Sequence, residues 1–233
     1  MERVCPLGYQ EIASADAVYE SLFTAVFSYL KLNGIVGNIV EFGSYQGYSS
    51  RLLAKYINKY HFKGSLTLFD SWGGMPEINS EYDKKSYEVA VLKDWKKGCY
   101  SVPEGTPDLI QKDISELIGS HNISLVKGFY QDTLKSYEFQ PSSLALVNID
   151  CDLFESIDIV LTKLINNQAL FDGSVILFDD WNLNRANPNM GARKAVSRLF
   201  DDNSRYTLSF FLNYSWHGRA FFVHDKEYQV SCY

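Results

Sequence analysis

Three short segments hold the side chains best suited to chemistry. Two of them, Asp150-Cys-Asp-Leu-Phe-Glu155 and Phe178-Asp-Asp-Trp181, set carboxylates directly after an apolar run. Adjacent carboxylates repel unless donors or a cation lie between them. Asp150, Asp179 and Asp180 together offer two or three hard oxygen ligands. Such a set suits Mg2+, which keeps some waters and takes its remaining ligands from substrate oxygens. A pair capping the loop before the next helix is the plainer reading of Asp179 and Asp180. Asp152 and Glu155 are spaced as a capping box, with Asp152 as N-cap and Glu155 at N3. That leaves Asp150 without a structural task. Cys151 alternates to the opposite side from Asp150 and is expected in the core.

The third segment is Glu41-Phe-Gly-Ser-Tyr-Gln-Gly-Tyr-Ser49. Gly43 and Gly47 let the backbone turn tightly, and the helix that follows points free N–H groups at any anion there. A dinucleotide turn reads G-x-G-x-x-G, and its second glycine makes room for a pyrophosphate. Tyr45 occupies that place here. A ligand with one small carboxylate, such as the methionine end of S-adenosylmethionine, suits the turn better, with Glu41 facing the crevice to receive an ammonium group. A strand-turn-helix without ligand is the alternative. Asp70 stands about twenty residues beyond the turn, where such folds bind ribose hydroxyls through a carboxylate. As the bland alternative, it starts a surface turn.

These segments need a scaffold, and the sequence alternates two periodicities. Residues 38–42, 65–69, 122–127, 144–149 and 174–178 read as short buried strands. Residues 16–31, 47–60, 107–119, 154–166 and 191–200 read as helices, the first capped by Ser14 or Asp16. A strand pair, 205–212 and 219–224, closes the chain. Short apolar strands separated by helices imply an α/β fold whose parallel sheet is covered on both faces, with ligands at the carboxyl ends of the strands. Residues 73–106 break the rhythm and are read as a lid insertion with a helix at 86–96. At 233 residues, the chain is expected to be one domain, 1–233.

Composition removes several function classes. A net charge of −6 without a basic stripe argues against a nucleic-acid partner. No secretory h-region and no bilayer-length apolar run occur, so a cytoplasmic protein without membrane contact is expected. Cys5, Cys99, Cys151 and Cys232 are scattered, which reads as reduced thiols. The aromatic share of 15% and the amphipathic first helix leave surface for a homo-oligomer.

Taken in order, Glu41-Phe-Gly-Ser-Tyr-Gln-Gly47, Asp70-Ser-Trp-Gly-Gly-Met-Pro76, Gly128-Phe-Tyr-Gln-Asp-Thr-Leu134, Asp150-Cys-Asp-Leu-Phe-Glu-Ser156, Asp179-Asp180 and Gly191-Ala-Arg-Lys-Ala-Val196 form a recognisable set. It resembles the macrocin and mycinamicin O-methyltransferase family, enzymes that methylate sugar hydroxyls of macrolides, over residues 40–196. The resemblance implies a Rossmann-like class I methyltransferase: a mostly parallel seven-stranded sheet, helices on both faces and an antiparallel C-terminal strand. It implies that Glu41, Gly43, Ser44 and Gly47 hold the methionine part of S-adenosylmethionine, with Ser49 counted among the donor-binding residues. Asp70 and Ser71 would take the ribose, and Gly128 and Phe129 would flank the adenine. Asp150, Asp179 and Asp180 would ligate Mg2+, and Asp150 is the candidate base. The lysine that catechol-type methyltransferases use is replaced by Leu153. Asn148 stands where the family commonly has arginine, Cys151 where it has glycine, and Trp72 and Trp181 where it has smaller aromatics.

The expected activity is methyl transfer to a hydroxyl of a sugar-containing or polyhydroxylated small molecule. N-methyl transfer to a related natural-product acceptor, an NAD-dependent oxidoreductase and a non-catalytic protein binding the adenosyl ligand are the alternatives. In the lid, Trp95, Lys96, Lys97 and Tyr100 are candidate acceptor contacts, the lysines more plainly solvated. His217 is expected to be structural.

Overall fold

Each apolar run becomes a strand because it is too short for a helix and is bounded by turn residues. The computed structural model describes residues 9–202 and 204–228. Among them, β1 (Asn38–Phe42), β2 (Leu66–Asp70), β3 (Ile123–Lys127), β4 (Leu144–Ile149), β5 (Val175–Phe178), β6 (Tyr206–Tyr214) and β7 (Gly218–Asp225) form one sheet in the order β3-β2-β1-β4-β5-β7-β6. The first five are parallel. β7 runs antiparallel to β5, and β6 antiparallel to β7. This is the class I methyltransferase arrangement expected from the resemblance.

Alternation along the strands divides the core between the two faces. Ile39, Leu66, Leu68, Val175 and Leu177 pack with α1 (Tyr9–Leu32), α2 (Tyr48–Tyr60) and α4 (Thr106–Ile118). Val40, Phe42, Val147, Ile176 and Phe178 pack with α6 (Phe154–Asn166) and α7 (Gly191–Leu199). Between them in sequence lie the four-residue α3 (Glu81–Lys84) and the seven-residue α5 (Tyr130–Ser136). On α1, Leu22, Phe23, Val26, Phe27 and Leu30 are almost fully buried. Each contributes about 1.5–3 kcal/mol relative to exposure.

Three local expectations are corrected. The first helix runs from Tyr9, so Ser14 and Asp16 lie inside it and are not its cap. No glycine or proline separates residues 9 and 16, and Glu11, Ala13, Ala15 and Ala17 favour helix throughout. In the insertion, the helix expected at 86–96 shrinks to one π-type turn, Glu88–Leu92, closed by Lys93 in the left-handed region. The helix after β4 is not capped by Asp152: Leu153 precedes it without a side-chain cap. Asp83 caps it instead, accepting from the N–H groups of Phe154 at 2.7 Å and Glu155 at 3.0 Å. Cys5 and Cys232 lie outside the described residues.

Candidate active site

The carboxyl ends of β1, β2, β4 and β5 open onto a cavity of about 300 Å³. Its geometry starts with the glycine turn. Gly43 has φ +93°, and a Cβ there would lie 1.6 Å from the Asp150 carbonyl oxygen. The chain leaving β4 therefore runs directly against the turn, with the Asp150 N–H donating to Phe42 O at 2.8 Å. Only glycine permits both the angle and the contact.

Asp70 shapes the same turn. Its Oδ2 accepts the N–H groups of Ser44 and Tyr45, each at 2.8 Å, and its Oδ1 accepts the Trp72 N–H at 2.6 Å. A carboxylate has about four lone-pair sites, so one is left for a ligand in the cavity that Asp70 lines. Gly43, Ser71, Gly128 and Phe129 line it too.

Glu41, Ser44, Gly47 and Ser49 do not line this cavity and lie behind its wall. Glu41 is fully buried and bonded to Ser50 Oγ, while Asn148 Nδ2 donates to its Oε1 at 2.9 Å. Burial pushes its carboxyl up, and hydrogen bonds from Ser50, Ser49 and Asn148 oppose the rise. Asn148, where the family commonly has arginine, thus serves Glu41. Gly47, at φ +77°, closes the turn by donating its N–H to Ser44 O and leads into α2.

Besides Asp70, four acids, Asp150, Asp152, Asp179 and Asp180, line the cavity. Burial, then repulsion from Asp179 and Asp180, pushes the Asp150 carboxyl well above the usual range. Burial and Asp180 do the same to Asp152. Burial likewise raises Asp179. Asp180 is pushed up to about 7 by burial and then by Asp179. One Asp180 oxygen, Oδ2, is buried with no hydrogen-bond partner.

Residues remote in sequence complete this centre. The Tyr19 hydroxyl on α1 donates to Asp179 Oδ1 at 2.7 Å. His217, in the β6–β7 turn, donates from Nδ1 to the Asp179 carbonyl at 2.7 Å, and the same nitrogen lies 3.6 Å from Asp179 Oδ2. One ligand atom from each of Asp179, Asp180 and His217 falls within 4.8 Å of the others. The sequence pointed to Asp150 as the third member of that cluster. Asp150 shares the cavity, and His217 makes the tighter group.

Known proteins decide the family. Macrocin-O-methyltransferase (TylF) matches residues 20–201. The chain belongs to this family. It is a methyltransferase that uses S-adenosylmethionine. No curated protein sequence matches it. Among solved structures it is similar to CalS11, a calicheamicin methyltransferase, with TM-score 0.69 and 19% identity over 94% of this chain and 86% of that one. It is also similar to the O-methyltransferase NovP, with TM-score 0.66 and 20% identity over 88% and 78% of the two chains. A Bacillus cereus O-methyltransferase in complex with SAH has TM-score 0.54 and 14% identity over 94% and 92%. These likenesses concern the fold.

The insertion of this methyltransferase is tied to the scaffold at several points. Besides the Asp83 cap, the Tyr87 N–H donates to Asn184 Oδ1 at 3.2 Å, and Glu88 Oε1 accepts the Asn184 N–H at 3.0 Å. Met75 and Trp95 pack on Leu153. Trp95 is thereby a packing residue, and Lys97 pairs with Glu77 on the surface. Tyr100 lines the cavity, its ring edge-on to Tyr45 at 5.8 Å between centroids. Cys151 is buried in the core as expected and also lines the cavity. Among the described residues, no helix is long and apolar enough to cross a membrane.

Proposed function

We propose that this methyltransferase moves the methyl group of S-adenosylmethionine, with magnesium assistance, onto a hydroxyl of a sugar-containing or polyhydroxylated small molecule. One observation carries the proposal: four half-buried carboxylates share a cavity with the Gly43 turn, Asp70 and Phe129. Carboxylates that raise one another, with a buried oxygen lacking a partner, fit a hard divalent cation. The residues that would hold it are Asp150, Asp179 and Asp180, with His217 close by. When bound, magnesium supplies a Lewis acid for acceptor oxygens.

The side chains divide the remaining work. Asp70 offers its last lone pair to a ribose hydroxyl beside Ser71, while Gly128 and Phe129 flank the adenine. Glu41 acts from behind the wall, fixing β1 to β4 beneath the turn. Asp150 takes the proton of the acceptor hydroxyl as that oxygen receives the methyl group, a task its place on the cavity wall beside Asp179 and Asp180 suits. Met75 and Tyr100 of the insertion cover the site and exclude water. Because the sulfonium is already activated, holding the two reactants in line supplies much of the rate. A glycosidic acceptor is favoured by the family, whose named member methylates macrocin.

The test is adenosylhomocysteine release from S-adenosylmethionine with a panel of glycosides and nucleotide sugars, with MgCl2 or EDTA. Turnover should require the metal. Asp179→Ala should abolish it while leaving adenosylhomocysteine binding intact by calorimetry. Full activity of that variant would reject the metal role.

A further inference from the structure

Asp179 is held from two distant parts of the chain. Its Oδ1 accepts the Tyr19 hydroxyl at 2.7 Å, across 160 residues of sequence. Its main-chain carbonyl accepts His217 Nδ1–H at 2.7 Å, and its Oδ2 faces that ring at 3.6 Å. A carboxylate can only accept, so the Tyr19 hydroxyl must be the donor.

The Tyr19 ring is itself fixed. It meets Tyr48, the first residue of α2, edge-on at 5.8 Å, and lies 6.0 Å from both Phe23 and Tyr214. The hydroxyl position is therefore set by the packing of α1 against the helix that follows the donor turn and against the C-terminal hairpin. Docking of α1 does not depend on this one bond, because Leu22, Phe23, Val26, Phe27 and Leu30 already bury its inner face.

We infer that Tyr19 is a positioning residue for the acidic centre: it occupies Oδ1 of Asp179 and so leaves Oδ2 turned toward His217 and available to a cation. The inference rests on the magnesium reading above. Partners that orient a metal-ligating carboxylate typically change ion affinity 10–100-fold when removed. Neither α1 nor its tyrosine belongs to the strand ends that carry the ligands, so this contact couples the N-terminal helix to the chemistry at β5.

The experiment is Mn2+ titration followed by electron paramagnetic resonance on the wild type, Tyr19→Phe, Asp179→Asn and Leu30→Val. Tyr19→Phe keeps the ring and removes the hydroxyl. It should weaken Mn2+ binding by about 10-fold or more, with metal-free adenosylhomocysteine affinity unchanged. Leu30→Val loosens α1 at its far end and should lower the melting temperature without moving Mn2+ affinity. Tyr19→Phe binding Mn2+ within about twofold of wild type, while Asp179→Asn loses it, overturns the inference alone. So does an equal loss in Leu30→Val, which would make the effect one of α1 docking. A wild type that binds no Mn2+ overturns the magnesium reading and this inference with it.

Discussion

Replacing Asp180 with asparagine should change how stability depends on pH. In the folded protein its carboxyl is pushed up to about 7, by burial and by Asp179. The unfolded chain releases that proton near the ordinary value of 3.8. Folded protein therefore holds a proton that unfolded protein has lost, and stability falls as pH rises from about 4 to about 7. At about 1.4 kcal/mol per pH unit, the whole window is worth up to about 4 kcal/mol, and the portion above pH 5 about 3 kcal/mol. Asp150, Asp152 and Asp179 are shifted the same way, so their contributions add in sign. The assay is urea unfolding in EDTA at pH 5 and pH 8 for wild type and Asp180→Asn. Wild type should lose about 2–4 kcal/mol more than the variant between those values. Acid-side contributions of opposite sign, such as the Arg205–Asp225 pair that lowers the Asp225 carboxyl, occur in both proteins and cancel in the difference. Millimolar MgCl2 at pH 8 should restore the wild type and leave the variant unchanged. Parallel pH profiles for the two proteins would refute the account of a repelling acid cluster.

Two further substitutions probe the frame of the site. Gly43→Ala drives a Cβ into the Asp150 carbonyl at φ +93°, and should lower the methyl-transfer rate about 100-fold, the scale a misplacement near 1 Å can reach; turnover equal to wild type would disprove the close contact. Asp83→Ala removes the cap of α6 supplied by the insertion, and should cost about 1–2 kcal/mol in urea unfolding; a loss below about 0.5 kcal/mol would mean that water replaces it.

The sequence made the scaffold legible where periodicity is strong. The five parallel strands, and the long helices apart from the start of the first, fall within a few residues of their expected bounds, because short apolar runs and amphipathic stripes are local signals. It was silent where contacts are long-range. Asp152 matched a local capping pattern, yet the helix takes its cap from Asp83, about 70 positions earlier. That released Asp152 to join Asp150 in the acid cluster. Nothing local marked Tyr19, which sits in an ordinary helical stripe, or His217, which sits in an ordinary hairpin turn. The glycine turn after β1 was readable from Gly43 and Gly47. The burial of Glu41 behind it was not, because its partners Ser50 and Asn148 lie on other elements.

Of the twelve non-glycine residues at positive φ among the described residues, four stand at or beside the cavity. Tyr45, Trp72, Tyr100 and Asp152 all adopt positive φ without being glycine, at +46°, +50°, +62° and +57°. Three of them line the cavity, and Trp72 follows directly on Ser71, which does. Residues held in this region each cost on the order of 1–3 kcal/mol and persist only where their surroundings over-determine them. The surroundings here do so. Asp70 binds the Tyr45 and Trp72 N–H groups, Tyr100 packs on Tyr45, and Asp152 lies against Asp180. The two hydrophobic layers show the opposite character, with consistent alternation and nearly complete burial. A chain that satisfies its local rules through the core, and sets four mutually repelling carboxylates at one set of strand ends, has placed that unfavourable term where a bound ligand would relieve it. The same distribution explains why the ligand-binding end of the sheet depends on remote anchors. The pairing of β4 with β5 sets Asp150 beside Asp179, and Asp83, Tyr19 and His217, drawn from three other parts of the chain, hold the segments around them.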